Sequence, residues 1–258
     1  MTRTIPSTEH DEVAARLQRE AEFHDHVAED DTRVPTQKFY AAARNSQEYF
    51  LERVFANVSG RRVLDYGCGT GSNTFELARR GAMVTGIDIS PGAIEVARRR
   101  AEAEGLADRI DLHVMNAEAL ELPDNHFDQV CGTGILHHLD LDACYREIHR
   151  VLKPGGVSIF MEPMGHNALI NWYRNRTPEM RTEDEHPLML SDIEHARSIY
   201  SRVDVKYFHI TSLATVPFRN SPLFGPLYAI TETIDRVLMA LVPPLRGWAW
   251  MAVMTMTK

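Results

Sequence analysis

From Arg62 onward, short apolar runs alternate with amphipathic stretches. The runs Arg62–Asp65, Met83–Asp88, Ile110–Met115, Phe127–Thr133 and Val157–Glu162 are candidate strands, and their alternation with helices is the sign of βαβ units and a parallel sheet. Between them, Asn73–Arg80, Pro91–Glu104 and Leu141–Leu152 carry helical periodicity. Ser90 followed by Pro91 supplies an N-cap and a first-turn proline for the second helix, and Lys153-Pro154-Gly155-Gly156 stops the third. Strand and helix in strict alternation predict an α/β fold: a doubly wound, mostly parallel, Rossmann-like sheet.

The flanks follow other patterns. Thr8–Glu29 and Thr36–Val58 place Val13, Leu17, Phe39, Tyr40, Phe50 and Val54 at helical spacing, so residues 1–60 are expected to form an N-terminal helical cap or lid over a domain spanning 61–258. The alternation fails at about 163–190, and an excursion of that length beside a regular sheet is expected to be an insertion that binds a ligand. A helix and strand resume over Ser191–Ser212, followed by a helix over Leu223–Leu241 and a last strand at Trp248–Met256. Glu232, Asp235 and Arg236 interrupt the long helix, which argues against a transmembrane span.

Composition narrows the function classes. Against 36 Asp and Glu stand 28 Lys and Arg, a net charge of −8 that disfavours a nucleic-acid partner. Three cysteines, Cys68, Cys131 and Cys144, fit no disulfide framework or zinc knuckle and suit a reducing compartment. The polar start lacks the basic and apolar regions of a secretory signal, so a cytoplasmic location is expected. Nothing in the chain decides for or against a homodimer.

The densest chemistry lies at Asp65-Tyr66-Gly67-Cys68-Gly69-Thr70-Gly71, between the first strand and its helix. Glycines there permit a tight turn and close approach of backbone to a ligand at a helix N-terminus. Asp88 ends the next strand, where a carboxylate can accept from ribose hydroxyls. A carboxylate at Asp65 would repel a pyrophosphate but suits the ammonium of an amino acid, and the glycine spacing lacks the dinucleotide fingerprint; NAD and FAD are therefore disfavoured.

With these residues in place, the stretch from about Arg62 to Pro163 resembles the class I S-adenosylmethionine-dependent methyltransferase superfamily, in its bacterial small-molecule form. The resemblance implies S-adenosyl-L-methionine as cofactor. By that likeness Asp65, Gly67, Cys68 and Gly69 contact its methionine part, Asp88 the ribose, Ile89 the adenine face, and Asn116, Ala117 and Glu118 the adenine edge. Gly132 and Tyr40 join them, from the fourth strand and the cap. Asn116 stands where the family usually has Asp, and its amide carbonyl keeps an acceptor.

Acceptor chemistry is expected at the ends of the fourth and fifth strands, from His137, His138 and His166, with Tyr173 offering a hydroxyl or a ring face. Being adjacent, His137 and His138 are not expected to point the same way. His24, His26, Glu185 and His186 are metal-donor types without a fixed-spacing motif, so no metal is expected. The expected function is methyl transfer to oxygen or nitrogen of a small-molecule acceptor. Two alternatives stay open: cyclisation of the cofactor itself with release of methylthioadenosine, and a non-catalytic cofactor-binding protein.

Overall fold

The computed structural model describes residues 15–22, 43–177 and 185–258. Most of the sequence-predicted cap, Tyr40 included, lies outside the described residues. Its described parts are a helical segment at 15–22 and helix α1, Arg44–Val54. The chain then runs β1 Arg62–Tyr66, α2 Ser72–Arg79, β2 Met83–Asp88, α3 Pro91–Ala103, β3 Ile110–Val114, β4 Phe127–Thr133, α4 Leu141–Val151 and β5 Leu152–Pro163. After these come α5 Ala168–Arg174, α6 Leu190–Ile199, β6 Arg202–Phe208, α7 Phe224–Leu241 and β7 Met251–Thr257.

Caps explain several boundaries. Ser90 accepts from Ala93 N–H with Pro91 in the first turn of α3, and Asp140 accepts from Ala143 N–H at the start of α4. Asn167 caps α5 by accepting from Ile170 N–H. The 163–190 excursion is thus partly helical, where an irregular insertion was expected: a good N-cap sets a short helix that periodicity alone is too weak to reveal.

The seven strands form one sheet in the order β3-β2-β1-β4-β5-β7-β6. β1 to β5 pair in parallel, while β7 is antiparallel to both of its neighbours, β5 and β6. Side chains alternate between two cores. Val63, Cys131, Ile159 and Val253 face one with Phe50 and Val54 of α1; Leu64, Val130, Phe160 and Met254 face the other with Tyr145 and Ile148 of α4. The central strands β1, β4 and β5 are covered on both faces, which is why their segments are largely apolar, whereas β3 at the edge alternates and buries Leu112 alone. No helix among the described residues is long and apolar enough to cross a membrane.

Candidate functional site

The turn from β1 into α2 takes left-handed backbone, with φ of +72° at Gly67 and +51° at Gly69. A Cβ on Gly67 would lie 2.8 Å from the Ile135 side chain, whereas one on Gly69 would meet nothing within 4 Å. The first glycine therefore serves packing, and the second leaves bare backbone facing open space, a cradle for a ligand. Asp88 at the end of β2 grips the same turn. Its Oδ2 accepts from Gly69 N–H at 2.7 Å and its Oδ1 from Ser90 N–H at 2.9 Å, and each oxygen retains an acceptor position.

Asp65 departs from expectation. The residue is 1% exposed, and its Oδ2 accepts from the Thr74 hydroxyl of α2 at 2.6 Å. Burial is the main cause of a pKa raised to about 6, against the lowering effect of Thr74. Its carboxylate holds the turn to α2 and does not face the open side, which corrects the expectation of direct contact with an ammonium. Cys68 is buried too, its thiol pKa pushed up by burial. Its N–H donates to Ile87 O at 2.8 Å and sews the turn to β2.

Ile89, half-buried after Asp88, and Asn116-Ala117-Glu118 lie at the carboxyl ends of β2 and β3. Asn116 Oδ1 accepts from Glu118 N–H at 2.9 Å, and the Tyr66 hydroxyl donates to Ala117 O. The Glu118 carboxylate is engaged by Arg16, at 2.6 and 2.7 Å, and by Asp140 N–H at 2.7 Å. It fastens the 15–22 segment to the domain and does not present itself to an adenine. Gly132 also has a packing reason. A Cβ there would sit 2.6 Å from the Phe160 ring and 2.8 Å from Tyr66 O, so close strand approach alone requires glycine.

A polar centre sits beyond β4, in the one-turn 3₁₀ helix Leu136–His138. Glu162, at the end of β5 and 0% exposed, organises it. Its Oε1 accepts from the N–H groups of Ile135 and Leu136 at 2.9 and 3.0 Å, and its Oε2 holds His137 Nδ1 at 2.8 Å. The other imidazole nitrogen, Nε2, lies 3.0 Å from Glu185, which also meets Arg174 of α5 at 3.3 Å. His186 N–H donates to His137 O at 2.8 Å and clamps the two stretches together.

Burial acts against the imidazolium of His137, but the hydrogen bonds and charges of Glu162 and Glu185 outweigh it, so its pKa lies above the ordinary imidazole range. For Glu185, burial is likewise overcome, by His137 and Arg174, and its pKa lies below the usual carboxylate range. Both nitrogens of His137 are engaged, which corrects the picture of an isolated imidazole base. The His138 ring stacks 4.2 Å from that of His137, with its Nδ1 3.2 Å from Glu20. Contrary to expectation, the neighbours share one site, because 3₁₀ backbone does not alternate its side chains as a strand does.

Of the other predicted residues, His186 touches this centre through its backbone. His166 is half-buried and packs toward Gly247, where a Cβ would be 3.4 Å from its ring. Tyr173 is half-buried in α5 beside Arg174, and His186 is exposed. His24 and His26 lie outside the described residues. Sequence reasoning missed the roles of Glu162, Glu20 and Arg174; the one signal was a carboxylate closing the apolar run Val157–Met161.

A doubly wound sheet, a glycine turn after its first strand and a carboxylate after its second define a Rossmann-like nucleotide-binding domain. Residues 63–156 match a family described as "Methyltransferase domain". That stretch is similar to S-adenosylmethionine-dependent methyltransferases. It is 39% identical over 117 residues to Methyltransferase GfsG of Streptomyces halstedii, covering 45% of this chain and 42% of that protein. With sterol 24-C-methyltransferase ERG6B of Gibberella zeae it shares 31% over 189 residues, 70% of this chain and 48% of that one. The chain thus spans less than half the length of these two curated relatives. Among solved structures, geranyl diphosphate C-methyltransferase from Streptomyces coelicolor A3(2) has the same fold, with TM-score 0.59 at 16% identity, covering 83% of this chain and 79% of that one. The [4+2]-cyclase SpnF gives 0.56 at 25%, covering 81% and 78%.

Proposed function

We propose that the protein transfers the methyl group of S-adenosylmethionine to an oxygen or nitrogen of a small-molecule acceptor held against the centre of His137, His138 and Glu185. One observation carries this reading: the buried histidine–glutamate centre is joined directly to the cofactor turn. Ile135, whose side chain fills the space beside Gly67, donates its N–H to the same Glu162 carboxylate that fixes His137. The centre also lies at the carboxyl ends of β4 and β5, where doubly wound sheets bind ligands.

The cofactor supplies an electrophilic methyl on a sulfonium. On this reading the bare backbone at Gly69 and the carboxylate of Asp88 bind it, the latter through the ribose. The chain's own part is to bring acceptor and methyl into line, an effect of proximity and orientation. With the cofactor bound, the acceptor's oxygen or nitrogen would take the methyl group from sulfur and S-adenosylhomocysteine would be the by-product. The acceptor's proton passes to the polar centre. Its dense hydrogen-bonding groups suit a heteroatom acceptor, although relatives named as C-methyltransferases share the fold.

The test is product analysis with pools of hydroxylated and amino acceptors. S-adenosylhomocysteine and a methylated product, formed only with acceptor, are expected. His137→Ala is expected to lower turnover by about 10² to 10⁴ with cofactor affinity within a few fold. Methylthioadenosine formed from cofactor alone would instead establish cyclisation, and cofactor binding without any product would establish a binding protein.

A further inference from the structure

We infer that His137, His138 and Glu185 form a binding site for one divalent transition-metal ion. Each offers a ligand atom, a ring nitrogen or a carboxylate oxygen, and these atoms lie within 4.8 Å of one another. Donors bound to a single ion at about 2.1 Å sit about 3.0 to 4.2 Å apart, so the group closes on an ion by small side-chain rotations. The pair His137 Nε2 and Glu185 Oε1, at 3.0 Å, already has that spacing. Two imidazoles and a carboxylate suit ions of the Mn²⁺, Co²⁺ and Zn²⁺ type rather than Mg²⁺, which prefers oxygen.

Three further features support the site. First, the Glu162 carboxylate holds His137 Nδ1 from a position 0% exposed, which orients Nε2 toward Glu185; carboxylates stand behind metal-bound histidines in this way. Second, the donors are built into the fold. His186 N–H to His137 O ties the stretch bearing Glu185 to the 3₁₀ helix, and Glu20 stands 3.2 Å from His138 Nδ1, fixing that ring. Third, carboxylates surround the two imidazoles: Glu162 and Glu185 hold His137 and Glu20 lies beside His138, a setting that favours a cation.

Resting on the proposed methyl transfer, the inference also narrows the acceptor. An ion with three protein donors keeps coordination positions for an outside oxygen, and an acceptor hydroxyl bound there is acidified by the ion. The substrate class is then a hydroxylated molecule able to ligate through that oxygen.

The experiment is titration of the full chain, freed of metal by chelation and dialysed, with Co²⁺ followed by visible absorption and with Mn²⁺ followed by electron paramagnetic resonance. Neither cofactor nor acceptor is added. Saturation near one ion per chain is expected, with a Co²⁺ spectrum showing nitrogen ligation. His138→Ala and Glu185→Ala are expected to abolish saturable binding while circular dichroism keeps its wild-type form. Glu162→Gln, which touches no ion, is expected to weaken it by about 10 to 100-fold. Absence of saturable binding to the wild type, or binding unchanged in all three variants, overturns the site. Methyl transfer at full rate by protein that binds no metal overturns the metal site and leaves the methyl-transfer reading standing; stoichiometric metal binding without methyl transfer to any acceptor does the reverse.

Discussion

Removing the Glu162 carboxylate tests the architecture of the polar centre most directly. Three donors converge on it: two backbone N–H groups at 2.9 and 3.0 Å and the His137 imidazole at 2.8 Å. In Glu162→Ala all three lose a charged acceptor in a place that water does not reach, and the His137 charge keeps a single carboxylate partner. Leaving one half of a buried ion pair costs about 3 to 5 kcal/mol, a large share of the roughly 5 to 15 kcal/mol that holds an ordinary domain together. Glu162→Gln separates the contributions. Its amide oxygen can still accept from Ile135 and Leu136, but its NH₂ now faces His137 Nδ1 and forces that nitrogen to be the acceptor, for a smaller loss of about 1 to 3 kcal/mol. Urea unfolding followed by circular dichroism measures both, and imidazole ¹⁵N shifts report the change in His137 tautomer. An Ala variant within about 1 kcal/mol of wild type, or Ala and Gln variants of equal stability, would refute the claim that this carboxylate organises the centre.

Asp88→Ala is expected to weaken S-adenosylmethionine binding, since it removes the ribose acceptor and also frees Gly69 N–H; charge-assisted bonds of this kind contribute about 1.5 to 3 kcal/mol each, and an unchanged calorimetric dissociation constant would contradict the assignment. A third prediction concerns acid stability. His209 is fully buried between the hydroxyls of Ser46 and Ser212, with Glu232 and Asp235 nearby, and burial lowers its pKa to about 4 while the charge of Asp235 opposes the shift. Between pH 4 and about 6.5 the unfolded chain binds the proton and the folded one does not, so this contribution is complete above about 6.5 and is lost as the pH falls toward 4. It is on the order of 3 kcal/mol at most. His209→Gln should flatten that part of the stability curve, and parallel curves for variant and wild type would exclude His209 as its source.

The fold was legible because central parallel strands covered on both faces are largely apolar, an edge strand such as β3 alternates, and the helices between them are amphipathic. Those patterns locate every strand from β1 to β5 to within a few residues. β5 is entered at Leu152, which pairs with Phe127, but Gly155 takes a φ of +74° and the register with β4 shifts before Gln129 meets Val157, so regular pairing starts where periodicity marks it. The glycine turn was legible for a related reason: close backbone approach and left-handed φ demand glycine. A residue's type does not state which way it faces, however. Asp65 turned inward to Thr74, and Gly132 makes room for Phe160.

What the chain determines by itself is local: element type, turn chemistry, and the residue kinds at the ends of strands. The reversal of β7 between β5 and β6 is a tertiary outcome, since an apolar strand such as Met251–Thr257 reads alike in either direction. So is the polar centre. Glu20, His137, Glu162 and Glu185 are separated by long stretches of chain, and no spacing rule relates them. They meet because β4 and β5 are neighbours in the sheet, because a one-turn 3₁₀ helix brings two successive imidazoles to one side, and because a backbone hydrogen bond from His186 draws Glu185 in. Buried charges require partners, and only the folded chain decides which partners are within reach.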